Sequence, residues 1–105
     1  MSPIQQITVR EWRDGSCSFA VGAVSAGTTV CLYVGAIGFA GQSLAVSIFE
    51  DDPVGDDFIA SGTLSCSSTA CTAIWTATWT GDGFGDPEYY FQFAGGNSGN
   101  LSVSR

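Results

Sequence analysis

Apolar and polar residues alternate along most of this chain. Leu44, Val46 and Ile48 fall on one face of a strand, and Val30, Leu32 and Val34 on one face of another. Trp75, Ala77 and Trp79 alternate with Thr76 and Thr78, and Tyr89, Phe91 and Phe93 with Tyr90, Gln92 and Ala94. A period of two is the signature of a strand with one face buried. No window carries a 3.6-residue period, and threonine in the Trp75 run favours strand over helix. The pattern predicts strands over Ile4–Trp12, Cys17–Val24, Thr28–Ile37, Gln42–Glu50, Phe58–Ser65, Cys71–Thr80, Glu88–Ala94 and Asn100–Ser104. The breaks hold turn chemistry: Asp14-Gly15, the Asp82-to-Pro87 loop, and the glycine-rich 95–99 stretch, which reads as a hairpin connection. Strands this short and this closely spaced predict an all-β sandwich or barrel of about seven or eight strands.

Composition narrows the picture without changing it. A chain of 105 residues suits one domain, and 45% hydrophobic against 12% charged residues is enough apolar surface for a core. The net charge of -7 comes from ten carboxylates against three arginines, with no lysine and no histidine. Nucleic-acid binding needs cations that displace counterions, so no nucleic acid is expected as a partner. Anionic membrane surfaces are disfavoured for the same reason, and no apolar run is long enough to insert into a bilayer.

Four cysteines, Cys17, Cys31, Cys66 and Cys71, change the compartment. An even count in a short chain rich in Ser, Thr and Gly reads as two disulfides and an extracellular or cell-surface location. Zinc is disfavoured by the absence of histidine and of paired short Cys knuckles. Among three connectivities, the local pairs Cys17–Cys31 and Cys66–Cys71 are expected. The first closes a loop that stabilises by about 3 kcal/mol and the second pins a turn for about 2 kcal/mol. Met1-Ser2-Pro3-Ile4 has neither a basic start nor an apolar h-region. A mature form, an excised domain or another export route is therefore expected.

Candidate chemistry is sparse. Without His or Lys, Ser-His-Asp and Cys-His triads, Ser-Lys dyads and Schiff bases are unavailable, so no enzyme is expected. Glu50 and Glu88 are the candidate carboxylate pair for glycoside hydrolysis, and strand-end and loop acids facing water are the simpler reading. Glu50, Asp51, Asp52, Asp56 and Asp57 crowd one loop, with Asp82, Asp86 and Glu88 candidates to join them. Clustered loop carboxylates can supply the oxygen shell of Ca²⁺, although no EF-hand spacing is present. A solvated acidic turn needing no cofactor is the expectation, with calcium as the alternative. Trp75 and Trp79 could form a sugar-stacking platform if exposed, but a same-face Trp-Ala-Trp strand is read as core. Trp12 and Phe84, near turns, and Tyr90, opposite Tyr89, are candidate anchors for a partner.

One stretch carries a family likeness. Residues 28–93 run through Val30/Leu32/Val34, Gly38-Phe39-Ala40-Gly41, Ser47-Ile48-Phe49-Glu50-Asp51-Asp52, Trp75-Thr76-Ala77-Thr78-Trp79 and Gly85-Asp86-Pro87-Glu88-Tyr89-Tyr90-Phe91. This resembles the bacterial immunoglobulin-like β-sandwich modules that accompany type VI secretion, Rhs-type and other exported proteins. The resemblance implies an immunoglobulin-like antiparallel β-sandwich in an accessory or interaction role, with no catalytic residues. The four cysteines depart from it and favour a surface setting. The expected function is thus a non-enzymatic extracellular module. A structural subunit comes first, in a surface filament or layer, joined to copies of itself through strand edges that lack guarding lysines. The alternative is an accessory domain that binds a protein or a glycan.

Overall fold

The computed structural model describes residues 4–80 and 85–105. The described residues contain no helix. They form nine strands: β1 (Gln6–Asp14), β2 (Ala23–Ser25), β3 (Thr29–Ile37), β4 (Ser43–Glu50), β5 (Asp57–Cys66), β6 (Ala70–Thr76), β7 (Glu88–Phe93), β8 (Gly96–Asn97) and β9 (Leu101–Ser104). All belong to one sheet in the order β1-β3-β6-β5-β4-β7-β9-β2, with β8 beside β7. Every pairing is antiparallel except β2 with β9.

The sheet curls. Trp12 of β1 meets Phe91 of β7 edge-on with ring centres 5.2 Å apart, and Trp75 of β6 meets Tyr89 of β7 at 5.1 Å. Neither β1 nor β6 pairs with β7 as a neighbouring strand, so these contacts cross the inside of the curl. The alternating residues of the sequence line that inside: Val30, Leu32 and Val34 from β3, Val46 and Ile48 from β4, Tyr89, Phe91 and Phe93 from β7, Leu101 and Val103 from β9. Burying one such side chain is worth about 1.5–3 kcal/mol, and their sum drives the curl. Two polar bonds fix the packing. Trp12 Nε1 donates to the Tyr89 carbonyl at 3.2 Å, and the Tyr89 hydroxyl donates to the Thr78 carbonyl at 2.9 Å in the connection before β7. Both satisfy groups that would be costly to bury alone.

Both expected disulfides form. Cys66 and Cys71 face each other directly across β5 and β6. They sit where those two strands part: β6 pairs β5 only at Ser65↔Thr72 and Cys66↔Cys71. Cys31, on the outer face of β3, is buried under the loop that carries Cys17. That loop corrects one expectation. Cys17–Val24 alternates like a strand, but only Ala23–Ser25 is one. Asp14 Oδ1 accepts the Ser18 and Phe19 amides at 2.9 and 3.3 Å, and Cys17 takes a left-handed φ of 63°. The side chain of Asp14 thus winds the chain into a loop before it can extend.

Three irregularities set which residues face which way. The β1–β3 register shifts between Ile7 and Val9, opposite Gly35, where a Cβ would collide with the Thr8 hydroxyl and the Val9 side chain. The β4–β5 register shifts at Ile59: Ile48 pairs with Ala60, but Phe49 pairs with Phe58. After β7 the chain reverses through Ala94 (φ 52°) and Gly95 (φ 79°), two successive left-handed residues as in a type I′ hairpin. The returning strand is broken at Ser98, whose hydroxyl takes over the Phe91 amide at 2.9 Å. The stretch read as a loop therefore contains β8.

Candidate functional site

The outer face of the β5-β4-β7 portion carries three aromatic rings in a row. Phe49 is paired across β4 with Phe58 on one side and Tyr90 on the other. Its ring lies nearly parallel to Tyr90 (5.6 Å between centres, 18°) and edge-to-face with Phe58 (5.8 Å, 76°). Phe58 is 60% exposed, and Phe49 and Tyr90 are half-buried. Offset-parallel and T-shaped pairs are the favoured arrangements of rings, so the row is fixed without being covered.

Local sequence explains the row. In β4, Leu44, Val46, Ile48 and Glu50 point inward, which turns Phe49 out. In β5, strict alternation from Leu64 through Gly62 and Ala60 would turn Phe58 inward. The extra residue at Ile59 flips the phase and brings Phe58 out beside Phe49. Tyr90 is the outward partner of inward Tyr89.

The acidic loop after β4 borders the row. The Tyr90 hydroxyl donates to Asp56 Oδ2 at 2.6 Å, and Asp56 Oδ1 accepts the Asp52 amide at 3.2 Å. The Tyr90 hydroxyl and the Asp52 amide hold the Asp56 carboxyl below the usual carboxylate range. The same carboxylate pushes the Tyr90 phenol up to about 12. Asp52 Oδ1 accepts the Val54 amide at 2.9 Å, which closes the loop tip. Asp51 Oδ2 and Glu88 Oε1 accept from Asn100 Nδ2 at 2.9 and 3.4 Å. Asp57 opens β5 next to Phe58.

The remaining sequence candidates fall elsewhere. Trp12 is 2% exposed and packs against Trp75 and Phe91, so it is a core residue and not a surface anchor. The register shift in β1 causes this, because it turns Trp12 inward. Phe84 and Asp82 lie outside the described residues. Trp75 and Trp79 pack against the core. Trp79 also donates Nε1 to Asp86 at 3.1 Å and lies under the Arg105 guanidinium at 4.1 Å. Glu50 is buried on the inner face opposite Tyr89, whereas Glu88 points outward. The two carboxylates are on opposite faces of the sheet and cannot flank one glycosidic bond. Among the described residues no group of three or more acids converges as a metal site; these carboxylates take N–H and O–H donors instead. A shallow cleft of about 300 Å³ beside β2 is lined by Ala23, Val24, Ser25, Asp86, Ser102 and Ser104 and holds no nucleophile paired with a base.

Phe49 and Phe58 are the site residues that the sequence candidates omit. Period-two reading of β4 already turns Phe49 away from Ile48, so it was legible. Phe58 was not, because nothing in the sequence marks the extra residue at Ile59.

No family model matches this chain, and no curated protein does. Some solved structures are similar in shape. A β-glucosidase from Listeria innocua in complex with glucose matches at 8% identity and a TM-score of 0.49, over 98% of this chain and 16% of that one. An alkylpurine DNA glycosylase of Pseudomonas fluorescens bound to DNA matches at 11% and 0.47, over 96% of this chain and 30% of that one. An engineered protein matches at 20% and 0.42, over 97% of this chain and 20% of that one. This chain therefore spans less than a third of each of these proteins. TM-scores this low say nothing of what this chain does.

Proposed function

We propose that this chain is a non-catalytic immunoglobulin-like β-sandwich module that works outside the cytoplasm by binding a partner through its Phe58–Phe49–Tyr90 face. The observation that carries the reading is a fixed, solvent-facing row of rings on a rigid sheet, joined by a 2.6 Å bond to an acidic loop. Aromatic side chains present much contact area at little entropic cost, which is why they dominate binding surfaces. Three further features support the finer points. The β1-β3-β6 portion faces the β5-β4-β7-β9-β2 portion across the core, as two sheets of a sandwich do. Tyr89, near the start of β7, ties its hydroxyl back to the Thr78 backbone, a longer-range counterpart of the corner bond of immunoglobulin-type sandwiches. The two cystines favour an oxidising compartment, and the exported bacterial modules that the sequence resembles act as accessory parts of larger proteins.

The test is binding to an array of peptides and oligosaccharides by the wild type and a Phe49→Ser/Phe58→Ser variant. Retained disulfides and an unchanged circular dichroism spectrum control for folding. Binding lost in the variant is expected; binding that survives the loss of both rings would refute the surface.

Assembly into a filament or layer is the second reading. One observation favours it: β5 from Asp57 to Leu64 has no second neighbour among the described residues, and no lysine guards that edge. Sedimentation at high concentration separates the two readings, since a monomer is expected for a binding module and a polymer for a subunit.

A further inference from the structure

We infer that the partner is an extended segment of another protein carrying arginine or lysine at alternate positions, which adds a strand to the open edge of β5 and lays its cationic side chains on the Phe58–Phe49–Tyr90 row. This rests on the reading that the row is a binding face, and it names what is bound.

Charge selects the class of partner. Asp51, Asp52 and Asp56 border the rings, and no side-chain cation among the described residues answers them. Arg10 is spent on the Phe93 and Ala94 carbonyls at 2.9 and 3.4 Å. Arg13 is paired with Glu11 at 2.6 Å and stacked on Tyr33, and Arg105 lies over Trp79. The chain has no lysine, and its net charge is -7. A second copy would bring the same carboxylates to the interface and be repelled. A neutral glycan brings hydroxyl donors to the carboxylates but no countercharge.

Hydrogen bonding selects in the same direction. The amide nitrogens nearest the row are engaged internally: Gln92 Nε2 with Asn97 at 3.2 Å, and Asn100 Nδ2 with Asp51 and Glu88. The Tyr90 hydroxyl already donates its hydrogen bond to Asp56. Apart from the hydroxyls of Ser43, Ser47, Ser61, Thr63 and Ser65 along the outer face, the groups bordering the row are acceptors: carboxylate oxygens and the electron-rich faces of rings. Guanidinium and ammonium groups are donors only, and they bind both.

The edge supplies the register. Phe58 is at the end of the row, on the part of β5 whose other side has no partner strand among the described residues. A strand added beside β5 puts alternate side chains on the outer face, with the residue opposite Phe58 roughly 5 Å away at Cβ. A cation there stacks on the Phe58 ring.

The experiment is calorimetric titration of the whole chain with an eight-residue peptide alternating Arg and Thr. Parallel titrations use the same peptide with Asp for Arg, the Arg peptide N-methylated at alternate amides, and a cello-oligosaccharide. Binding of the Arg peptide alone is expected. Phe58→Ala, which leaves net charge unchanged, should weaken it about two- to fivefold, and N-methylation should abolish it. Equal binding by wild type, Phe58→Ala and the N-methylated peptide would mean diffuse attraction and overturn the inference. Binding of the oligosaccharide alone, lost in Phe58→Ala, would also overturn it while leaving the binding face intact. Failure of every ligand, with self-association weakened by Phe58→Ala, would overturn the inference and the binding reading together.

Discussion

Individual side chains in this molecule are positioned by short hydrogen bonds whose loss has measurable consequences. The Tyr90–Asp56 bond ties the ring row to the acidic loop. The hydrogen bond to Asp56, with burial and the charges of Asp56 and Asp51, raises the Tyr90 pKa from 10.0 to about 12. Asp56→Asn should therefore bring Tyr90 ionisation back toward 10.0, read from the Tyr90 ring carbon shifts in a pH titration. An unchanged value would show that the bond does not form. The sign for stability follows from linkage. The contribution of Tyr90 is complete below pH 10.0 and is lost as pH rises toward 12, because only the unfolded phenol ionises in that window. Asp14 and Asp56, both lowered from 3.8, act in the opposite direction. Their contribution is present above pH 3.8 and is lost as pH falls through their folded values. At Gly96 a Cβ would run into the Arg10 guanidinium that holds the β7–β8 hairpin. Gly96→Ala should displace Arg10 and cost the hydrogen bonds it gives the Phe93 and Ala94 carbonyls, about 1 kcal/mol in denaturant unfolding, and an unaffected midpoint would mean Arg10 keeps them by moving aside.

At the scale of elements, the strands obey alternation and the register shifts do not. Leu44, Val46 and Ile48 point inward as the sequence implies, and so do Tyr89, Phe91 and Phe93. The strands β3, β4, β5, β7 and β9 lie within a residue or two of their expected limits. Two register shifts account for the misplaced site residues. One extra residue near Thr8 turns Trp12 from an expected anchor into core, and one at Ile59 turns Phe58 outward. A single inserted residue reverses every face beyond it, and no residue type announces where it occurs. Deleting Ile59 should therefore remove the bulge while leaving Phe58 outward opposite Phe49, seen as amide protection that runs without a break along Asp57–Cys66, and lost protection there would contradict this reading. The local cystine pairs were legible from spacing. Removing Cys66–Cys71 should cost about 2 kcal/mol and removing Cys17–Cys31 about 3 kcal/mol. The first loss should loosen the corner where β5 and β6 part, and the second the loop over Cys31.

The whole molecule is a curled sheet with a dense apolar inside, a net charge of -7, and arginines already committed within the chain. Such a surface repels its own kind and attracts cations. Added salt should raise the unfolding midpoint by screening that repulsion, and it should weaken any cationic partner. The account turns on whether the Phe58–Phe49–Tyr90 face takes part in binding. Chemical-shift mapping of the labelled chain during titration with the alternating Arg-Thr peptide tests this most directly. Saturable shifts confined to Phe49, Asp56, Asp57, Phe58, Tyr90 and the outer edge of β5 are predicted. Shifts spread evenly over all the acidic residues, or centred on the cleft beside β2, would contradict it.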